Sequence, residues 1–185
     1  MIRPANLSDI ELVINLDHSY TTDHVWQMAA REAAREAVRG GMGEYESVFR
    51  LSALPRQMKV PATFEPRGLR RILNRCDYAW VRQGENSGDL YGYLGMAVVP
   101  WQGTGWIPIM CVRPEMRRKG VATQLVRAAI AQAKELGLRT VTLDLSTRNY
   151  PATRLAQTRG FRFAGYADNY GNGQDIAMFY AQRVR

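Results

Sequence analysis

Hydrophobic and polar positions change rhythm several times along the chain. Ile2-Arg3-Pro4-Ala5 alternates and predicts a short opening strand. Ser8 with Glu11 three residues on predicts a capping box, with Leu7 and Leu12 placed as a staple. Ile10, Val13, Leu16 and Tyr20 then recur at helical spacing, and the polar run from Asp17 to Asp23 breaks that helix. A second helix is predicted from Thr22 or Asp23, carrying Trp26, Met28, Ala33 and Ala37, because its A-R-E-A-A-R-E-A run has high helix propensity. Gly40, Gly41 and Gly43 end it.

Tyr45 to Leu54 alternates as a strand, and Pro55 to Pro66, with its three prolines, continues as an edge strand or a loop. Gly68 to Cys76 reads as a short basic helix. Tyr78 to Arg82 and Tyr91 to Val99 read as a hairpin about the turn from Gly84 to Asp89. After the turn Pro100 to Gly105 comes an apolar strand, Ile107 to Val112. The helix after Gly120 aligns Leu125, Val126, Ala129, Ile130 and Ala133 and stops at Gly137. Val141, Leu143 and Leu145 alternate with Thr140, Thr142 and Asp144, a strand with one polar face. Pro151 suits the first turn of a further helix ending at Gly160, and strands around Phe161 to Tyr166 and Asp175 to Arg183 close the chain. Strand–helix alternation at both ends of a hairpin-rich middle predicts an α+β fold of mixed sheet direction, one domain over residues 1–185.

Composition narrows the classes without choosing among them. No apolar run approaches a membrane span, and the N-terminus lacks a basic region followed by an apolar one, so a cytoplasmic protein without membrane association is expected. Cys76 and Cys111 are far apart, and with two histidines in one segment no metal site is expected. A net charge of +8 invites a nucleic-acid reading, but the basic residues are spread out and no nucleic-acid signature is present. A polyanionic cofactor fits that charge equally well.

The chemistry gathers between Met110 and Thr123. There a strand runs through Met110, Cys111 and Val112 into Arg113-Pro114, a basic turn follows, and Gly120 opens a helix. The first N–H groups of a helix have no intrahelical partner and carry the positive end of its dipole, so this arrangement is an anion site. Gly120 permits close backbone approach, Val121, Ala122 and Thr123 supply further amides, and Arg117, Arg118 and Lys119 add charge.

Arg117-x-x-Gly120-x-Ala122 resembles the Q/R-x-x-G-x-G/A signature of the GNAT superfamily of acyl-CoA N-acyltransferases. The downstream run Asn149-Tyr-Pro-Ala152-x-x-Leu155-x-x-x-x-Gly160-Phe161 is similar to that family's second landmark. The tyrosine usual there is replaced by Ala156. The C-terminal half, with its D-I-A-M-F-Y strand, looks similar to streptothricin-type acetyltransferases. The resemblance implies a mostly antiparallel sheet of about six or seven strands flanked by helices, splayed between the strand before the anion loop and the one after its helix. It implies an N-acetyltransferase that moves acetyl from acetyl-CoA to a primary amine by direct attack, and favours a small-molecule amine or antibiotic over a protein. A homodimer is open as the assembly. The alternative is a catalytically weak CoA-binding or nucleic-acid-binding regulatory module.

By the same resemblance, Met110, Cys111, Val112 and residues Arg117 to Thr123 hold the cofactor, Cys111 or Val112 supplies an oxyanion donor, and Asn149 contacts pantetheine. Tyr150 is the candidate proton donor in place of the missing tyrosine, with Tyr170 a second possibility. Asp144 is the candidate base. Asp17, Tyr20, Asp23, His24 and Trp26 are the candidate acceptor cluster, since carboxylates beside aromatic rings suit a cationic amine. A plain helix break, with Asp23 as N-cap and Trp26 in the core, accounts for that cluster equally well.

Overall fold

The structure is a computed structural model and describes residues 1–32, 45–86, 88–170 and 175–184. Its elements in order are β1 (Ile2–Pro4), α1 (Asp9–Ile14), β2 (Tyr20–Glu32), β3 (Tyr45–Val60), α2 (Pro66–Leu73), β4 (Tyr78–Gln83), β5 (Leu90–Val99), β6 (Thr104–Val112), α3 (Val121–Glu135), β7 (Thr140–Ser146), α4 (Tyr150–Thr158), β8 (Arg162–Ala167) and β9 (Ala177–Arg183). A 7-stranded sheet runs β1-β4-β5-β6-β7-β9-β8, and β2 with β3 forms a separate 2-stranded ribbon. Every neighbouring pair is antiparallel except β6 and β7, which are parallel. The mixed, mostly antiparallel sheet, splayed between β6 and β7 beyond Ile107, is as expected.

Two cores flank the sheet. On one side Leu125, Val126, Ala129 and Ala133 of α3, with Ala156 of α4, pack on Leu94, Ile107, Val141 and Leu143. On the other, Val13 of α1 and Leu69 and Leu73 of α2 cover Val81, Tyr93 and Ile109. Ile107 and Ile109 would share a face in a regular strand, yet they point into opposite cores. The reason is a bulge: Gly95 pairs with Ile109 and Ala97 with Trp106, so three steps on β6 face two on β5. Pro108 sits inside that bulge, where its missing N–H costs no ladder bond.

Two expectations are corrected. The segment from Thr22 is a strand, not a helix: β2 pairs with β3 from Tyr20↔Val60 to Glu32↔Tyr45. Thr22, His24, Trp26 and Met28 turn inward while Thr21, Asp23, Gln27 and Ala29 turn out, a period of two that pairing rewards over intrinsic helix preference. Asp23 therefore caps nothing; it lies in the register shift between Thr22 and His24. Ala33, Ala37 and the glycines from Gly40 to Gly43 lie outside the described residues. The capping box of α1 is also displaced. Asn6 Oδ1 accepts from the Asp9 N–H (3.2 Å) and Asp9 Oδ2 accepts from the Asn6 N–H (2.8 Å), while Ser8 donates to Asn6 and Leu7 is 86% exposed, so no staple forms.

Candidate active site

β6 delivers the chain to a tight turn. Pro114–Met116 forms one turn of 3-10 helix, then Arg118 (φ 62) and Gly120 (φ 82) both adopt left-handed backbone before α3 begins. A Cβ at Gly120 would meet no atom within 4 Å, so glycine is required there by conformation, not by space. The Met116 and Arg117 amides bond back into the turn and Gln124 donates to the Gly120 carbonyl. Among the described residues, the N–H groups from Arg118 to Thr123 have no acceptor. Arg118, Lys119 and Gly120 are exposed; Val121 is buried and contributes only its amide. Left-handed turns and helix starts of this kind make anion-binding concavities. Arg117 also has a structural role. Its Nε donates to the Val112 carbonyl (2.9 Å), and Nη2 donates to the carbonyls of Asp17 (3.1 Å) and Ser19 (2.8 Å). It straps the loop after α1 to the end of β6 through Nε and Nη2, while Nη1 has no acceptor among the described residues.

Beside the turn the sheet opens. β6 and β7 pair only from Thr104↔Thr140 to Ile107↔Leu143. Arg113 N–H donates to the Tyr91 carbonyl (2.9 Å), which makes Tyr93↔Cys111 a hydrogen-bonded pair and Gly92↔Val112 a non-bonded one. The amides of Met110 and Val112 thus face the gap, whereas that of Cys111 faces β5. Cys111 is a buried thiol against the Asp17 carbonyl (3.6 Å), its pKa pushed up to about 11 by burial.

A cavity of about 480 Å3 passes through this gap and has walls on both faces. On the α3/α4 side Val126, Ala152, Leu155 and Ala156 line it. On the other side lie His18, Tyr20, Phe64, Trp106, Asp144 and Tyr170. Asp144 accepts from Trp106 Nε1 (3.0 Å) and from the Tyr170 hydroxyl (2.6 Å), both neutral donors. Among the described residues it forms no ion pair, unlike Asp175, which takes Arg148 and also accepts from Ser146 (3.2 Å). Burial first, and then the Asp144 carboxylate, push the Tyr170 phenol up to about 12. A wider, shallower depression of about 720 Å3, by Lys134 and Arg139, shares no residue with this cavity.

The remaining candidates divide. Asn149 lines the cavity and caps α4, its Oδ1 accepting from the Ala152 N–H (3.2 Å). Tyr150 does not line it. Its ring lies 4.8 Å from that of His24 and its hydroxyl accepts from Arg154 (3.4 Å), both outside the cavity wall. Within the acceptor cluster only Tyr20 reaches the cavity. Asp17 is exposed and caps Ser19 N–H (2.8 Å), Asp23 pairs with His24 (2.8 Å), and Trp26 ties β2 to α4 through Nε1 to Thr153 Oγ1 (3.1 Å). Carboxylate and aromatic rings do meet, but around Asp144, with Trp106 and Phe64 not singled out by the sequence. The readable signal was Pro108, which ends regular pairing and changes the side on which β6 presents its residues.

Comparison with known proteins settles the family. Residues 45–161 match the acetyltransferase (GNAT) family. The chain belongs to that family. It is 30% identical over 105 residues, 56% of this chain and 68% of the other, to a candidate ribosomal protein bS18-alanine N-acetyltransferase of Bacillus subtilis (strain 168). In fold it matches a nourseothricin acetyltransferase with a TM-score of 0.81 at 22% identity, covering 100% of this chain and 98% of that one. A candidate streptothricin acetyltransferase from Bacillus anthracis str. Ames, solved with acetyl coenzyme A, matches at TM-score 0.73 and 15% identity, covering 99% and 98%. This GNAT protein is an acetyl-CoA-dependent N-acetyltransferase. Its own atoms fit that donor: a cationic turn with unpartnered amides stands beside a gap onto which strand amides open. Among the described residues, no helix is long and apolar enough to cross a membrane.

Proposed function

We propose that this GNAT enzyme acetylates a primary amine on a small cationic molecule, of the kind found in amine-bearing antibiotics. The observation that carries the reading is Asp144: a carboxylate at a cavity wall, held by two neutral donors and lacking a cation. A protonated amine supplies the missing charge, and the aromatic side chains Trp106, Tyr20 and Phe64 line the same cavity. The amine therefore docks on the side of the sheet opposite α3 and α4.

Acetyl-CoA, when bound, supplies an acetyl thioester. The amides from Arg118 to Thr123, with Arg118 and Lys119, are assigned to its diphosphate, and Asn149 to its pantetheine arm. The amides of Met110 and Val112 are the donors for a carbonyl oxygen that gains charge during transfer. Cys111 leaves that role because its N–H is turned to β5. Tyr150 leaves the role of acid because it stands outside the cavity. Tyr170 has a hydroxyl in place, but a phenol near 12 is a weaker acid than a thiol near ~8.5. Its one proton is already donated to Asp144, so it does not serve the departing sulfur. Departure without an acid is the consistent reading at Ala156.

Thiol release from acetyl-CoA tests the proposal, with a panel of diamines, aminoglycosides, streptothricin-class antibiotics and a peptide beginning with alanine. A small cationic amine should turn over best, and Asp144→Asn should cost it about 100-fold in kcat/KM with coenzyme A affinity unchanged, as expected when one partner of a hydrogen-bonded charge pair in a cavity is lost. Turnover of the alanine peptide alone would replace the small molecule by a protein N-terminus.

A further inference from the structure

His18 lines the cavity on the acceptor side, in the loop that Arg117 fastens to β6. Its Nε2 lies 2.8 Å from the carbonyl of Val13, a core residue that is fully buried. A carbonyl oxygen only accepts, so Nε2 carries a proton. In the neutral ring the lone pair then resides on Nδ1, which has no partner among the described residues. The fold thus fixes both the tautomer and the orientation of this imidazole, an arrangement typical of a working base.

Resting on the amine reading above, we propose that His18 Nδ1 is the general base that deprotonates the acceptor ammonium held at Asp144. The two groups divide the work. Asp144, held by two neutral donors, serves as a cation anchor, while the imidazole presents a free nitrogen lone pair that can accept a proton. One proton passes from the ammonium to Nδ1. The freed nitrogen bonds the acetyl carbon as the carbon–sulfur bond breaks, its second proton ends on the sulfur, and the imidazolium returns its proton to water. The charged and titratable groups around His18 are Asp17 on its own loop, Tyr20 on β2, Cys111 on β6 and Arg117 in the turn before α3, both of which contact that loop, and Asp144, Tyr170, Asp175 and Arg159 in the cavity lining.

His18→Gln is the test, since a carboxamide N–H can still reach the Val13 carbonyl. With an alkylamine, kcat should fall about 10²-fold, coenzyme A affinity by calorimetry should stay within twofold, and the rate should climb with pH without levelling off. With an acyl hydrazide, a far weaker base that is neutral at assay pH, the variant should run within about threefold of wild type. Full alkylamine activity with an unchanged pH profile would overturn the assignment while leaving the acceptor reading intact. A wild-type protein that acetylates no amine would remove both. Should His18→Gln melt early, carbethoxylation offers the same decision, because the chain has only two histidines. In a His24→Gln background, modification should abolish turnover and hydroxylamine should restore it; retained turnover after complete modification overturns the proposal.

Discussion

The turn before α3 and the pocket around Asp144 open into the same gap, yet one is made of backbone and the other of side chains. The turn needs only left-handed residues at Arg118 and Gly120 and the start of a helix; its donors are consecutive amides. The pocket needs Trp106 from β6, Asp144 from β7, Tyr170 from the segment after β8 and His18 from the loop after α1, which the sheet brings together across long stretches of chain. A backbone site is local and tolerates much change in side chains. A side-chain site is distributed, so it is where relatives sharing this fold can diverge in substrate.

The sharpest way to break the comparison is at the turn. Gly120→Asp adds a Cβ at φ 82 and a carboxylate beside the amides. Coenzyme A affinity by calorimetry should fall at least tenfold, about 1.4 kcal/mol, with the amine site untouched. Unchanged binding by a folded variant would remove the anion site from the turn. A smaller effect is expected from Tyr170→Phe, which takes away one of the two donors on Asp144 and leaves Trp106. Roughly 1 kcal/mol, about fivefold, should appear in the KM of the amine and not in coenzyme A affinity. Because its phenol is pushed up to about 12, the neutral donor persists through pH 10 and is lost only above it. The wild-type rate should therefore show no tyrosine limb below pH 10; a fall near pH 9 would contradict the burial. The smallest effect is expected at Tyr150, where Phe should leave kcat within twofold, since among the described residues the hydroxyl meets only Arg154. Ala156→Tyr is the complement. If departure needs no acid, the ring should crowd the cavity wall and lower turnover; a faster enzyme would mean that an acid had been missing.

The same contrast explains what could be read in the sequence. Gly120, Asn149, Pro151 and Gly160 act through local backbone rules, and each stands where those rules put it. The strand of Val141, Leu143 and Leu145 was legible because one face is buried against α3. Strand β3 was legible from its alternation, but β2 was not, because an alanine-, arginine- and glutamate-rich stretch favours helix until a partner strand is supplied. Carboxylate and aromatics were sought near Asp17 and Asp23, adjacent in sequence, whereas Asp144 meets Tyr170 and Trp106 only once β6 and β7 lie side by side. Which way a strand amide points depends on pairing parity, and that depends on a bulge set by the partner strand.

Pro108 and its bulge leave the edge of β6 beyond Ile107 without a neighbour among the described residues, so the sheet carries an interior strand position that none of them fills. An extended ligand arm laid there would complete the ladder from within, much as added strands complete open edges in other proteins. The free enzyme is in that sense an unfinished sheet, and its thermal midpoint should report occupancy. At a ligand concentration a hundred times Kd the gain is about 2.7 kcal/mol. In hydrogen exchange the amides of Met110 and Val112 should then slow, while that of Cys111, already paired to Tyr93, should change little.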